Sequence, residues 1–416
     1  MMLGELTIGR QYAGIAQIEN FPFDADVGQE ATGNLWDLGY SPSLNRLVFV
    51  GATSWNFTDS VYTSDDGGYT WTEYLNKPNM YNLLWCSGFN KFIGVTNLGG
   101  GNGYGYLYSS DGINWSNGNE DTYDATWFFA YSPSLNMAVG FRDDNAKVWG
   151  AYTTDGINWT DSYYDDTPSQ NSGPVVWSPE LNKFYALKYY NVWDYNEATS
   201  RFSMLISSNG ITWDEYPITG KINSGYISMR WDSYRNLFVI AQGRHYNQTT
   251  SSYRWDTHHM IATSPDGVNW TTYDVPVESQ FWALAVSREG IMVVGNALDS
   301  PPSVISGVAF FSTNGIQWER IDVPLSDPDP NSDGTFYIRE VDYFEGVPHF
   351  LIYGFPYNYN ENALYLAIPC PETGSGTVLS TNSNGSIQAT TATSGTTTTS
   401  WSSSTGTRMI ITVHPV

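Results

Sequence analysis

Two stretches of this 416-residue chain concentrate rings, amides and guanidinium groups: 188–203 (KYYNVWDYNEATSRFS) and 242–260 (QGRHYNQTTSSYRWDTHHM). They supply Tyr189, Tyr190, Trp193, Tyr195, Arg244, Tyr246, Tyr253, Arg254 and Trp255, and shorter segments add Trp55, Tyr357 and Tyr359. Flat aromatic faces beside Asn, Asp and Arg suit sugar rings, whose C–H faces stack and whose hydroxyls take paired hydrogen bonds. The same rings would also pack on a neighbouring protein, and both readings stay open.

Other chemistry is less well provided for. Two suitably spaced carboxylates suffice for glycoside cleavage, and Asp143, Asp144, Asp194, Glu197 and Asp256 fall on the same loops, but acids are abundant throughout. Asp327, Asp329, Asn331 and Asp333 alternate like the oxygen ligands of a calcium loop, without its mid-loop Gly or distal Glu. The alternative there is a proline-stiffened acidic turn, and no cofactor is expected. The five histidines have no zinc spacing. The glycine-rich run 99–105 joins two strands rather than opening a phosphate-binding helix.

The elements that must position these loops are written as repeats. A phrase of Ser or Thr, an Asp/Asn-Gly turn and a following Trp occurs at Ser64–Trp71, Ser109–Trp115, Thr153–Trp159, Ser207–Trp213, Ser264–Trp270 and Ser312–Trp318. Its period, roughly 45 to 57 residues, signals a repeat architecture. A second phrase interleaves with it: Tyr40–Asn45, Trp85–Asn90, Tyr131–Asn136, Trp177–Asn182, Trp231–Asn236, and degenerate copies at Val286–Gly290 and Val341–Gly346. Around both lie short Val-, Ile-, Phe-, Tyr- and Trp-rich segments bounded by Gly, Pro or Asn, which read as strands. Four strands per unit with almost no helical periodicity is the layout of a β-propeller blade. The seven copies of the second phrase predict an all-β, seven-bladed β-propeller of four-stranded blades over residues 35–369.

The first phrase resembles the Asp-box, or BNR repeat, of the sialidase-like propellers; SDDGGYTW at Ser64–Trp71 is the full form and the other copies are shortened. The resemblance implies a structural role for Asp66, Asp111, Asp155, Asn209, Asp266 and Asn314, whose side chains accept hydrogen bonds from their own turn, and for Trp71, Trp115, Trp159, Trp213, Trp270 and Trp318, which fill the wedge between neighbouring blades. A sialidase of this family would also carry an Arg-Ile-Pro segment and three arginines clamping a carboxylate. No Arg-Ile-Pro occurs, and Arg142, Arg201, Arg244 and Arg254 lack the motif context. A non-enzymatic role is therefore expected, with no catalytic residues, and a glycoside hydrolase is the alternative.

The last predicted unit, with strands at 335–343, 347–354 and 363–368, has no box and needs a fourth strand. Residues 13–19 within an N-terminal segment 1–34 alternate suitably, with 377–381 as the competitor. Residues 370–416 read as a Ser/Thr/Gly-rich β extension ending in an apolar strand (MIITVHPV) expected to dock on a partner, with a free linker as the alternative.

A formal charge of −24, from 18 basic and 42 acidic residues, leaves no cationic surface for phosphates; nucleic acid and membrane insertion are not expected. Cys86 and Cys370 form no metal motif, and their pairing stays open. Residues 1–17 lack the design of a signal peptide, while the Ser, Thr, Asn, Gly, Tyr and Trp richness suits an exposed surface. Both together fit a bacteriophage virion protein of the tail or fibre, present in multiple copies and assembled in the host cytoplasm. Its propeller face would attach to host glycan, and its extension would contact other virion proteins; a purely structural tail hub or nozzle is a further alternative.

Overall fold

A computed structural model describes residues 12–17, 34–52, 59–97, 104–118, 128–144, 147–165, 167, 170–190, 202–219, 227–242, 245–247, 252–254, 261–275, 279–299, 304–322, 336–347, 349–356, 363–369, 375–381, 387–393, 398–402 and 408–412. The strands gather into antiparallel four-stranded meanders, as the repeat spacing requires. Blade 1 consists of Asn34–Ser41, Arg46–Ala52, Asp59–Ser64 and Thr72–Lys77; blade 2 of Met80–Cys86, Lys91–Asn97, Tyr104–Ser109 and Ser116–Asn117. Blade 3 is Phe128–Ser132, Met137–Asp144, Lys147–Thr153 and Thr160–Asp165, and blade 4 is Gln170–Ser178, Lys183–Tyr190, Phe202–Ser207 and Asp214–Pro217. Blade 5 joins Ile227–Asp232, Leu237–Gln242, Ile261–Ser264 and Thr271–Tyr273, and blade 6 joins Ser279–Val286, Ile291–Asp299, Val304–Ser312 and Glu319–Asp322.

The expected count of seven blades is corrected here to six. Each of the six takes its four strands in order from one stretch of chain and carries one Ser/Thr-x-Asp/Asn-Gly turn. The seventh copy of the second phrase belongs instead to a composite closing sheet: Phe336–Asp342, Phe350–Pro356 and Ala363–Pro369, completed from the other end of the chain by Tyr12–Gln17. The reason is local, since no turn phrase follows Ala363–Pro369 to send a fourth strand back along the edge. Ile15 faces Ala367 in this pairing. The competing segment Ser375–Thr381 pairs with Ile387–Thr393, and Arg408–Thr412 pairs with Thr398–Ser402, so the extension forms two hairpins.

Each interface between neighbouring sheets holds its own buried cluster. Blades 1 and 2 share Val48, Val50, Met80 and Phe92; blades 6 and the closing sheet share Met292, Phe311, Ile338 and Phe350; the closing sheet and blade 1 share Leu351, Tyr353, Leu47 and Phe49. The clusters run all the way round, so the sheets close on themselves and the outer strands, from the two residues of Ser116–Asn117 to the six of Thr72–Lys77, form the rim.

The turns explain why the local sequence folds this way. In Ser109–Trp115, Ser109 Oγ accepts from Gly112 N at 2.8 Å, and Asp111 Oδ1 accepts from Ile113 N and Asn114 N at 2.8 and 2.7 Å. Asn209 and Asn314 take the same pair of backbone bonds in their copies. Gly112 has φ 76°, and a Cβ there would stand 2.4 Å from Val48 Cγ2 of blade 1, so the turn needs glycine for both conformation and close approach. Desolvation raises the Asp111 carboxyl, but the Asn114 and Ile113 amides and the Asn114 and Ser109 side chains outweigh it and leave it at about 2.

The tryptophans then bridge each blade to the one before it. Trp115 packs on the cluster between blades 1 and 2, Trp213 on that between 3 and 4, Trp270 on that between 4 and 5, and Trp318 on that between 5 and 6. Trp71 does the same between blade 1 and the closing sheet, and its Nε1 donates to Gly68 O at 2.8 Å. Among the described residues the interface of blade 6 with the closing sheet has no such indole, since no turn phrase follows Ala363–Pro369 to deliver one.

The second phrase makes the turn between first and second strands, and its terminal Asn45, Asn90, Asn136, Asn182 and Asn236 all take the left-handed conformation, at φ 46–53°. Both turn types lie on one face: Asn45 Nδ2 donates to Asp65 O, and Arg46 pairs with Asp65 while also donating to Asp111 O of blade 2. The links between second and third strands therefore emerge on the opposite face.

Candidate functional site

The first strands of the blades line a central channel of about 640 Å³. Most of the residues that line it are apolar or aromatic, among them Leu84, Phe128, Ala130, Val176, Trp177, Trp231 and Trp282, although polar atoms make up close to half of its exposed surface. Charge enters at four positions, Asp37 on blade 1, Arg230 on blade 5, and Glu340 and Asp342 on the closing sheet.

Asp37 is partly structural. Its Oδ1 accepts from its neighbour Leu38 N at 2.8 Å and its Oδ2 from Leu83 N of blade 2 at 2.6 Å, so it ties two first strands together. Ser228 does the equivalent work between blades 5 and 6, accepting from Leu284 N at 3.2 Å. Asp342 is different: it is 9% exposed, its Oδ1 stands 3.9 Å from Arg230 Nη2, and its Oδ2 has no hydrogen-bond partner among the described residues.

Three carboxylates thus share one guanidinium. Burial, and next the charge of Asp342, push the Asp37 carboxyl up to about 7 against the pull of its two backbone donors and Arg230. Burial raises Asp342 to about 6 against Arg230, and burial with the Asp342 charge raises Glu340 well above the usual range. Chemically, such a cavity can hold a proton, accept hydrogen bonds from hydroxyls or ammonium groups, and stack flat apolar faces.

These shifts carry a pH dependence of stability. A carboxyl whose folded value lies above its unfolded value keeps its proton longer in the native state, so its penalty is absent below about pH 4, grows as pH rises, and is complete near pH 7. Replacing Asp342 by Asn should therefore do little to stability at pH 4 and raise it by roughly 2 kcal/mol at pH 7. Chemical denaturation of both proteins across that range measures it; equal curves at both ends would contradict the shared-charge geometry. The difference between the two proteins is the right quantity, because His349 acts oppositely. Burial lowers that imidazole to about 4 despite its hydrogen bond to Gly67 O, so its contribution is lost as pH falls from 6.5.

Few of the loop residues singled out in the sequence fall among the described residues. Trp55, Trp193, Tyr195, Arg244, Trp255, Tyr357 and Tyr359 lie outside them, as do Asp194, Glu197, Arg201, Asp256, Cys370 and Asp327, Asp329, Asn331 and Asp333. Tyr189 pairs across the sheet with Phe202, ring centroids 5.7 Å apart at 29°, and Tyr190 ends the same strand. The stretch 242–260 contains a hairpin, His245–Asn247 with Ser252–Arg254, in which Tyr246 faces Tyr253 and His245 faces Arg254. It is inserted between the second and third strands of blade 5, which places it on the face opposite the turns. Arg142 is buried with its guanidinium 5.2 Å from the Trp149 ring. Cys86 is a buried free thiol.

Asp37, Arg230, Glu340 and Asp342 were not singled out from the sequence. A signal exists for two of them: ISMRWD and YIREVDYF put Arg230 and Glu340 just before the lead residue of the second phrase, where other repeats have Leu84, Ala130 and Val176. Nothing local says that these charges meet.

No protein-family model and no curated protein sequence matches the chain. Among solved structures it is similar to the Dos1 propeller, with a TM-score of 0.51 at 8% identity over 81% of this chain and 93% of that one. The chain has the β-propeller fold. Similarity also extends to Sqt1 of Saccharomyces cerevisiae (TM-score 0.48, 9% identity, 92% of this chain and 97% of that one). The GH74 enzyme of Niastella koreensis gives a TM-score of 0.46 at 13% identity over 85% of this propeller, which spans only 65% of that enzyme. At such identities the likeness speaks to fold alone.

Proposed function

We propose that this propeller is a non-enzymatic recognition protein that binds a surface glycan, with the central channel and the face bearing the 188–203 and 242–260 loops as its binding surface. The observation that carries the reading is the channel itself: about 640 Å³, walled by Trp177, Trp231, Trp282 and Phe128, with carboxylate acceptors at Asp37, Glu340 and Asp342. Its volume lies within the roughly 300–1,000 Å³ of ordinary small-ligand pockets. Aromatic walls with a few polar groups meet the two sides of a sugar, its C–H face and its hydroxyls. The boxes, in the Asp-box reading, serve the ring and not the ligand. The setting we propose is the tail or fibre of a bacteriophage, where the C-terminal hairpins would contact neighbouring virion proteins; the acidic, Ser/Thr/Asn/Gly-rich composition supports an exposed surface of this kind.

The test is a glycan array probed with the full chain and with Trp193→Ala, Trp255→Ala and Glu340→Gln variants. Binding to a defined set of glycans is expected, weakened at least tenfold by Glu340→Gln. An empty array would end this reading in favour of a structural hub.

A second reading, glycoside hydrolysis, is favoured by one observation: Glu340 and Asp342 share a pocket in which one can hold a proton while another is ionised, as an acid and base pair requires. Release of reducing sugar from a bound glycan, lost in Glu340→Gln while binding persists, would select it.

A further inference from the structure

Resting on the glycan reading above, we infer that the seam between blades 2 and 3 carries a second sugar subsite, for a unit bearing a carboxylate, built from Arg142, Lys147, Trp149 and Tyr164. Register places the four together. Arg142 stands opposite Trp149 and Trp149 opposite Tyr164, while Lys147 comes two residues before Trp149 and so lies on the same side of the sheet. That side faces blade 2, because Ala151, the next residue in the alternation, lies in the cluster that the two blades share.

Arg142 is the anomaly. It is 7% exposed, its Nε is enclosed without an acceptor, and among the described residues neither an ion pair nor a hydrogen bond engages its guanidinium. Nη1 and Nη2 are not enclosed in this way and form its open edge. Arg46, Arg230 and Arg235 each face an aspartate, whereas Arg142 faces the Trp149 indole, 5.2 Å from its ring centroid. In a chain with 42 acidic residues, a charge so far from water has been left without its counter-charge.

The rings beside it are within reach of a ligand. The outer strand of blade 2 pairs with Leu107 and Tyr108 and reaches Tyr106 through Gly118 N, whereas Arg142 and Trp149 lie beyond Ala151, toward the loop-bearing face. Tyr164 is 48% exposed, and Lys147 and Trp149 are half-buried. Trp149 and Tyr164 have ring centroids 4.2 Å apart at 42°, and Lys147 Nζ donates to Tyr164 OH at 3.1 Å. The result is a ledge of two rings with a cation at each end. The planar fork of a guanidinium matches the two oxygens of a carboxylate, the ammonium adds charge, and the rings take the C–H face of the sugar. A neutral sugar would leave Arg142 uncompensated. The charge of −24 works against a long polyanion, so the ledge suits a single acidic unit.

The experiment is titration calorimetry of the full chain, at neutral pH, with a trisaccharide ending in glucuronate, its methyl ester and the corresponding glucose-ended trisaccharide. It is repeated with Arg142→Gln and Arg142→Lys. The acid should bind about tenfold more tightly than either neutral form, and Arg142→Gln should bring that preference below about threefold. Arg142→Lys keeps the charge and the stem, so it should retain part of the preference, and it tests the fork even should the glutamine variant misfold. Because Arg142→Gln removes a buried unpaired charge, its melting temperature should not fall. A lowered melting temperature with the preference intact would assign the guanidinium to packing on Trp149 alone and overturn the inference. Equal binding of acid and neutral forms, or no binding by any of the three while the array shows other glycans, also overturns it and leaves glycan recognition standing. No binding here together with an empty array overturns the glycan reading and the inference with it.

Discussion

Replacing Trp159 by Ala should lower the free energy of unfolding by about 3–5 kcal/mol, the range for removing a fully buried large aromatic side chain. Trp159 is 4% exposed and lies flat on Tyr106 of blade 2, with ring centroids 4.3 Å apart and planes within 7°. Around it are Cys86, Phe89, Ile93 and Val95 of blade 2 and Ala138 and Ala151 of blade 3, so its loss empties the seam between two blades. A ring amplifies such a defect, because each blade is held only by its two neighbours and has no other surface to collapse onto. Trp71 is a built-in comparison: it is less deeply buried, so its alanine variant should lose less. Urea unfolding followed by Trp-independent circular dichroism measures both. A loss below about 1 kcal/mol at Trp159 would show that the indole is not what joins the blades.

Replacing Lys188 by Met should cost about 3 kcal/mol, at the lower end of the range for breaking a buried ion pair. Lys188, on the second strand of blade 4, is 1% exposed, and its Nζ lies 2.8 Å from Asp165 Oδ2 of blade 3 and bonds Glu215 of its own outer strand. Desolvation lowers the ammonium, but Asp165 and Glu215 outweigh it and hold it above its usual range. The acids remain partly solvated, with side chains 19% and 38% exposed, and this keeps the cost from rising further. Removing all three charges together, with Asp165→Asn and Glu215→Gln, should recover most of the loss, since well-packed neutral groups avoid the unpaired charge. Thermal and urea midpoints of the single and triple variants check this; a triple variant as unstable as the single one would place the cost in packing alone. Lys188 begins one of the two stretches that the sequence marks for ligand contact, yet its partners assign it to the joint between blades 3 and 4.

How much was legible in the sequence follows from the range of each interaction. The Ser-x-Asp-Gly turn spans a few residues and satisfies its hydrogen bonds internally, so its conformation is legible at Asp111 and Gly112, whereas the close approach of Gly112 to Val48 of blade 1 is not. The pattern of four strands and a Trp per repeat is equally local, and it carried the propeller fold. Blade number was less secure, because the second phrase marks only a first turn and cannot say whether a complete blade follows. Val341–Gly346 has that turn but belongs to a sheet that must take Tyr12–Gln17 as its fourth strand.

The channel lay furthest from what the sequence could display. Asp37, Arg230 and Asp342 come from blades 1 and 5 and the closing sheet, and each alone reads as a charge interrupting a strand. Repeat chemistry alone determined the β-propeller, its turns and its tryptophan wedges, since these depend on contacts within a repeat or between adjacent ones. Only the tertiary structure decided the composite closure and the meeting of Arg230 with Asp342 in a channel that Asp37 and Glu340 also line, because closing the ring makes neighbours of residues that no local pattern connects, and their burial there sets their charge.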